Sequence, residues 1–294
     1  MSSENKAAGN PSVKPPAKAQ GGKLDLATII GLVMAFGGIV AGLLFEGGKI
    51  QDILQFTAAL IVLGGTFGAV LVSTPLAVVK ASLRRLKAVV VDTAPQMDDL
   101  IEEIIGYATK ARKNGLVSLE EEALHIQDPF LCKALNLAVD GTDLQEIRKM
   151  LELDIGLEEL QGESEARVFE TAGGYAPTVG IIGAVMGLIQ VMKNLANIDE
   201  VGHGIAVAFV ATVYGVGSAN LLFLPAASKI KARIQAETQR KELIVESVSG
   251  IVEGLNPKLI RSKIEAYVPK LTVKPGKAKK AKTPLPASAL PEKA

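Results

Sequence analysis

The sequence predicts an all-α integral membrane protein with four transmembrane helices and a helical cytoplasmic domain between helices 2 and 3. Three observations lead there. The 294 residues have a positive mean hydropathy and only 21% charged side chains, fewer than the roughly 25% of an ordinary soluble domain. The apolar surplus falls in four runs that contain no Asp, Glu, Lys or Arg. Clusters of basic residues follow the second and the fourth run.

The runs are Leu26 to Phe45, Ile53 to Val79, Thr171 to Met192 and about Ile205 to Ser228. Each can cross a hydrocarbon core of about 30 Å, which takes roughly 20 helical residues. Lys14, Lys18 and Lys23 precede the first run, as they would in a secretory signal. That run exceeds the roughly 7–15 residues of a signal's apolar region, and no small-residue cleavage pattern follows, so it is expected to stay in the mature chain. Lys80, Arg84, Arg85 and Lys87 after the second run, and Lys229, Lys231 and Arg233 after the fourth, put both ends in the cytoplasm by the positive-inside rule. Four crossings then leave both termini cytoplasmic, with short external loops at Glu46 to Asp52 and Asn194 to Gly204.

The expected division is a disordered cytoplasmic tail over 1–24, helices 1 and 2 over 25–79, a cytoplasmic helical domain over 80–170, helices 3 and 4 over 171–228, a cytoplasmic helical extension over 229–271, and a disordered basic tail over 272–294. In the domain, Leu100, Ile101, Ile104, Ile105 and Ala108 repeat at helical spacing. Pro95, Gly115, Asp128-Pro129 and Asp140-Gly141 supply the breaks. The tails are rich in Pro, Ala, Lys and Ser and hold too few large apolar groups to offset ordering entropy.

Composition also excludes function classes. A net charge of +1 with 4% aromatic residues gives no case for nucleic-acid binding. The single Cys132 rules out an internal disulfide framework, and His125 and His203 are too far apart for a helical metal pair. No metal, cofactor or catalytic residue is expected. Because an ion carrier normally needs an ionisable intramembrane group, a partner would have to donate the carboxylate. This chain would add walls and polar neighbours such as Thr178, Thr212 and Ser218, unless those hydroxyls simply bond back to their own helices.

Gly180, Gly183, Gly187, Gly215 and Gly217 thin the third and fourth runs for close helix packing, equally within this chain or against another. Pro177 and Pro225 each remove a backbone donor near the cytoplasmic ends of those runs. Arg112 and Glu120 flank the turn-like Asn114-Gly115 among Lys110, Lys113, Glu121 and Glu122, which by composition is a solvated charged face.

APTVGIIGAVMGL at Ala176–Leu188, AFVATVYG at Ala208–Gly215 and NLLFLP at Asn220–Pro225 resemble the last two membrane helices of the MotA/PomA family of flagellar stator subunits. IVLGGTFG at Ile61–Gly68 with STP at Ser73–Pro75 is similar to the family's second helix, and RKNGLVSLE at Arg112–Glu120 to its charged cytoplasmic motif. The resemblance spans about residues 25 to 268. It implies an inner-membrane subunit in a homo-oligomeric ring, a pentamer in the family, around a MotB-like single-span partner that carries the ion-binding aspartate and grips peptidoglycan. It assigns Pro177 and Pro225 to coupling ion passage to movement, and Arg112 and Glu120 to engaging the rotor protein FliG. Ala184 stands where sodium-driven relatives tend to carry threonine, and Thr212 matches a threonine of both classes, which favours H+ over Na+ as the ion. Gln55-Phe56-Thr57 replaces a proline of many relatives. The related ExbB/TolQ energisers of outer-membrane processes are the alternative, but they generally have three crossings and an external amino terminus.

Overall fold

The computed structural model describes residues 23–92 and 97–267. The expected break at Pro95, residues 1–22 of the expected tail over 1–24, the end of the expected extension at 268–271 and the expected tail over 272–294 lie outside the described residues. Among the described residues, four helical segments are long and apolar enough to cross a membrane.

Helix α1 (Leu26–Phe45) starts where the Asp25 carboxylate accepts the Thr28 N–H at 3.3 Å, satisfying one of the free donors of a first turn. It buries none of its residues against the rest of the chain. After Gly47, at φ 82, comes the short α2 (Ile50–Ile53). Helix α3 (Phe56–Ser73) stops before Pro75 because a residue preceding proline is driven to extended backbone, as Thr74 is at φ −135 and ψ 134. The second run therefore comprises α3 and the start of α4 (Leu76–Arg85). Helix α5 (Lys87–Val90) leads to a two-residue antiparallel pairing of β1 (Lys23–Leu24) with β2 (Val91–Asp92), a feature that helical periodicity does not foretell.

The extramembrane domain continues with α6 (Met97–Asn114), a 3-10 turn (Leu116–Leu119), α7 (Glu120–Ala123) and α8 (Pro129–Val139). Asp128 caps α8 by accepting the Phe130 and Leu131 N–H groups at 2.8 and 3.1 Å, with Pro129 in the first turn, where no N–H is missed. Gly141, at φ 74, ends it. Helix α9 (Leu144–Lys193) then runs 50 residues without interruption, from the domain through residue 171 to the far side of the membrane. Helix α10 (Ile198–Ser218), a wide turn (Ala219–Phe223) and α11 (Leu224–Val252) return the chain, and α12 (Pro257–Ile264) closes the domain.

Helix α10 begins earlier than the apolar run, because Asn197 caps it by accepting the Asp199 N–H at 3.1 Å and Asp199 and Glu200 suit the positive end of a helix. His203, expected in a loop, is thus an exposed helical residue. Cys132 is half-buried instead of fully buried, its thiol 3.4 Å from the Ala123 carbonyl oxygen.

The domain core joins α6, α8, the first part of α9, the last part of α11 and α12 through Ile104, Leu135, Leu151, Leu243 and Ile260, all at or near full burial. Each such side chain contributes about 1.5–3 kcal/mol over its exposed state. Ion pairs fasten its periphery: Arg240 with Asp128, Lys241 with Glu158, and a two-pronged Arg261–Glu102 contact at 2.8 and 2.9 Å. Burial alone would raise the Glu246 carboxyl, but hydrogen bonds from Lys263 at 2.9 Å and Arg148 at 3.1 Å outweigh it and hold it below its ordinary range. At the membrane boundary Lys229 and Arg233 converge on Asp25, and chiefly the Lys229 hydrogen bond holds that carboxyl low. This tether fixes the root of the otherwise unpacked α1.

Candidate functional site

The membrane-spanning halves of α9 and α10 cross in backbone contact, and glycine is what allows it. A methyl placed on Gly215 would lie 2.6 Å from the Ala176 carbonyl oxygen, and one on Gly180 would lie 3.0 Å from that of Ala211. At Gly187 it would lie 2.7 Å from the Gly204 carbonyl oxygen, and at Gly183 it would meet the Ala211 Cβ at 2.8 Å. The four glycines therefore serve packing within this chain. Gly217 faces open space instead, while Gly204, which sequence spacing missed, completes the crossing: a methyl on it would lie 2.7 Å from Val191 Cγ2 and 3.0 Å from the Gly187 carbonyl oxygen. Only its presumed loop position hid it.

Pro177 lies inside α9 and offers no N–H to the carbonyl of Gly173, four residues back. Gly173 itself lies under Leu224, where an added methyl would be 2.7 Å from the leucine Cδ2. The fold thus brings Gly173, whose carbonyl Pro177 has no N–H to serve, beside the residue preceding Pro225. Pro225 follows the wide turn, whose Leu224 N–H bonds to the Ala219 carbonyl five residues back instead of four. A wide turn of this kind accommodates a proline ring that would otherwise press on the preceding turn.

Thr178, Thr212 and Ser218 each donate to a carbonyl of their own helix: Tyr175 at 2.8 Å, Ala208 at 3.1 Å and Gly215 at 3.2 Å. Their protons are used locally, though their oxygens keep acceptor lone pairs. Ala184 is half-buried one turn from Gly180 and brings no oxygen. Among the described residues no three His, Cys, Asp or Glu side chains gather as a metal site.

Tyr214, not singled out in the sequence, ties α10 to the α2–α3 junction. Its hydroxyl donates to the Ile53 carbonyl oxygen at 2.5 Å and accepts the Gln55 N–H at 3.3 Å. A tyrosine in an uncharged span is itself a signal, since a buried phenol needs a polar partner.

About Arg112 and Glu120, Gly115 turns the chain at φ 84 and ψ 164, a conformation essentially reserved for glycine. Lys110 and Glu122 brace this turn from behind at 2.8 Å. Arg112, Lys113, Glu120 and Glu121 are exposed and form no ion pair among the described residues. Val117 and Leu124 project from the same tip, 68% and 82% exposed, so the ridge is apolar as well as charged.

A family model described as the MotA/TolQ/ExbB proton channel family matches residues 122–243, and one described as motility protein A N-terminal matches residues 29–115. Motility protein A of Helicobacter pylori is 34% identical over 257 residues, covering 87% of this chain and 98% of that protein. The chemotaxis protein PomA of Vibrio alginolyticus is 33% identical over 245 residues, covering 83% and 96%. Among solved structures, the C. jejuni MotAB structure has a TM-score of 0.81 at 33% identity, covering 84% of this chain and 97% of the matched one. The flagellar MotAB stator complex of Bacillus subtilis has a TM-score of 0.78 at 32% identity, covering 83% and 97%. Agreement of both family models, the order of the motifs and the fold over nearly the full length of these relatives means that the chain belongs to the MotA/TolQ/ExbB proton channel family, in its motility protein A group.

Proposed function

We propose that the chain is a flagellar stator subunit that, with a MotB-like partner, couples ion flow to rotor torque. The observation that carries this reading is the glycine-sealed α9–α10 crossing, with Pro177 in α9 and Pro225 just beyond α10 at its domain-side end and no carboxylate among the crossing residues. Such a pair lines a path but needs a partner's aspartate to carry the ion. The match of the motility protein A N-terminal model to residues 29–115 favours it over an ExbB/TolQ-type energiser.

The unpacked α1 and the large apolar side chains left exposed on α9 and α10, such as Ile182, Met186, Phe209 and Val213, suit a ring of copies, a pentamer in the family, surrounded by membrane lipids. The basic clusters after α3 and in α11 support an inner-membrane orientation with both termini and the α6–α8 domain in the cytoplasm. There Arg112 and Glu120 would meet FliG, while Pro177 and Pro225 would let the crossing flex. Ala184 removes one oxygen that a sodium site would use, which favours H+ over Na+.

The test is rotation of tethered cells that lack the gene and carry either wild type or Glu120→Lys, with flagella counted in each. Flagellated but paralysed cells, restored by wild type and poorly by the variant, are the expected result. Normal rotation without the gene would shift the reading towards energised outer-membrane uptake.

A further inference from the structure

Where α3 ends, at Ser73-Thr74-Pro75, a cavity of about 330 Å³ opens between that turn and α9 from Ser164 to Tyr175. Val78 and Val168 form an apolar floor, and Arg167, Thr74, Thr171 and Tyr175 contribute to its lining. Ser73 closes the uncharged span of α3 and Thr171 opens that of α9, while Lys80, Arg84, Arg85 and Lys87 lie just beyond.

The polar groups divide into used and unused. Ser73 donates to the Val70 carbonyl at 3.2 Å and Ser164 to that of Gln161 at 2.7 Å. Nearby charges are committed too, Glu165 to Arg85 at 2.5 Å and Glu170 to Lys231 at 2.7 Å. Arg167 and the hydroxyls of Thr74, Thr171 and Tyr175 make no hydrogen bond or ion pair among the described residues. The set thus offers one unspent guanidinium and three unspent hydroxyls over an apolar floor. Helix α4 begins in the same wall with neither a side-chain cap nor an acidic residue in its first turn, so its free N–H groups add positive field.

We propose that this cavity binds the phosphate of an anionic phospholipid, with Arg167 as the charged anchor. Guanidinium geometry matches two phosphate oxygens at once. The threonine and tyrosine hydroxyls supply further donors, the aromatic ring suits the membrane interface, and the valine floor takes the glycerol end of the acyl chains. A lipid held there would brace the α3–α4 turn against α9. The proposal rests on the lining of this cavity and on where the membrane spans end, so it stands or falls apart from any rotor contact.

The test titrates the full-length, delipidated protein in mild detergent with dioleoyl phosphatidylglycerol and counts bound lipid by native mass spectrometry. Arg167→Gln should weaken binding about fivefold, the contribution of one interfacial basic residue. Thr171→Val combined with Tyr175→Phe should weaken it with the charge kept, and Lys149→Gln, on the exposed part of α9, should leave it unchanged. Inorganic phosphate in excess should not displace the lipid. Equal lipid retention in Arg167→Gln and wild type would overturn the proposal, as would displacement by inorganic phosphate, which would mark a soluble anion as the ligand. Loss of subunit association without any change in lipid binding would overturn it as well, assigning the cavity to a neighbouring copy.

Discussion

The Tyr214 hydroxyl bonds both the Ile53 carbonyl oxygen, at 2.5 Å, and the Gln55 N–H, at 3.3 Å. One side chain of α10 thereby pairs a backbone acceptor and a backbone donor where α2 ends and α3 begins. Inside a membrane bundle such groups have no water to turn to. Tyr214→Phe keeps the ring and removes the bond, leaving a part-buried acceptor and donor unmatched. It is expected to destabilise the protein by about 1–3 kcal/mol, read as a lower melting temperature of the detergent-solubilised protein. An unchanged melting temperature would mean that the junction is hydrated.

Two glycines only two residues apart should behave in opposite ways. Gly215→Ala forces a methyl to 2.6 Å from the Ala176 carbonyl oxygen, whereas Gly217→Ala meets nothing within 4 Å. The first must push α9 and α10 apart and is expected to cost about 1–3 kcal/mol, as overpacking does. The second is expected to be neutral or slightly stabilising, because alanine favours helix. Comparing membrane yield and melting of the two variants checks the crossing directly, and equal behaviour would contradict it.

Hydropathy made the spans legible because lipid demands long uncharged helices whatever their tertiary partners. The breaks at Gly115, Asp128-Pro129 and Asp140-Gly141 were legible for the same local reason: caps and turns are decided within a few residues. What sequence could not show was set by distant partners. The Arg240–Asp128 and Lys229–Asp25 contacts join residues far apart in the chain, and the isolation of α1 is visible only once the rest of the bundle is in place. The early start of α10 was hidden because its first turns are polar, so apolar content marks the lipid-facing length and not the helix. At the site, residue type identified the glycines but not their occupants; Gly180 and Gly217 look alike until the backbone of α10 is seen against one and nothing against the other.

Acid should loosen the domain through Glu246. Its carboxyl is held below the ordinary 4.5 by Lys263 and Arg148 despite the opposing effect of burial. A depressed carboxyl contributes stability that is present above its unfolded pKa and is lost as pH falls through the lower folded value. Melting temperature measured from pH 7 downward should therefore fall below about pH 4.5. Glu246→Gln, which cannot ionise, should lower stability at pH 7 and show a smaller acid-side fall. A variant with the same acid profile as wild type would assign the loss to other carboxylates.

Pro225 should trade stability for motion. The wide turn at Ala219–Phe223 and the five-residue Leu224-to-Ala219 bond precede it, and a proline ring in a helix interior both deletes a donor and crowds the turn before it. Pro225→Ala restores the donor and permits ordinary four-residue bonding through the segment. It is expected to raise stability by about 1 kcal/mol at most, well under the roughly 3 that an interior proline costs, because Pro225 is the second residue of α11 behind a turn wide enough for its ring, and to slow rotation of tethered cells at equal membrane levels. Those two changes have opposite signs, which separates a hinge from a merely structural kink: a kink needed only for packing would lose stability and rotation together. Because Gly173, whose carbonyl Pro177 has no N–H to serve, packs under Leu224, Pro177→Leu should slow rotation without the compensating gain, since leucine bulk at a half-buried site has no freed space to fill.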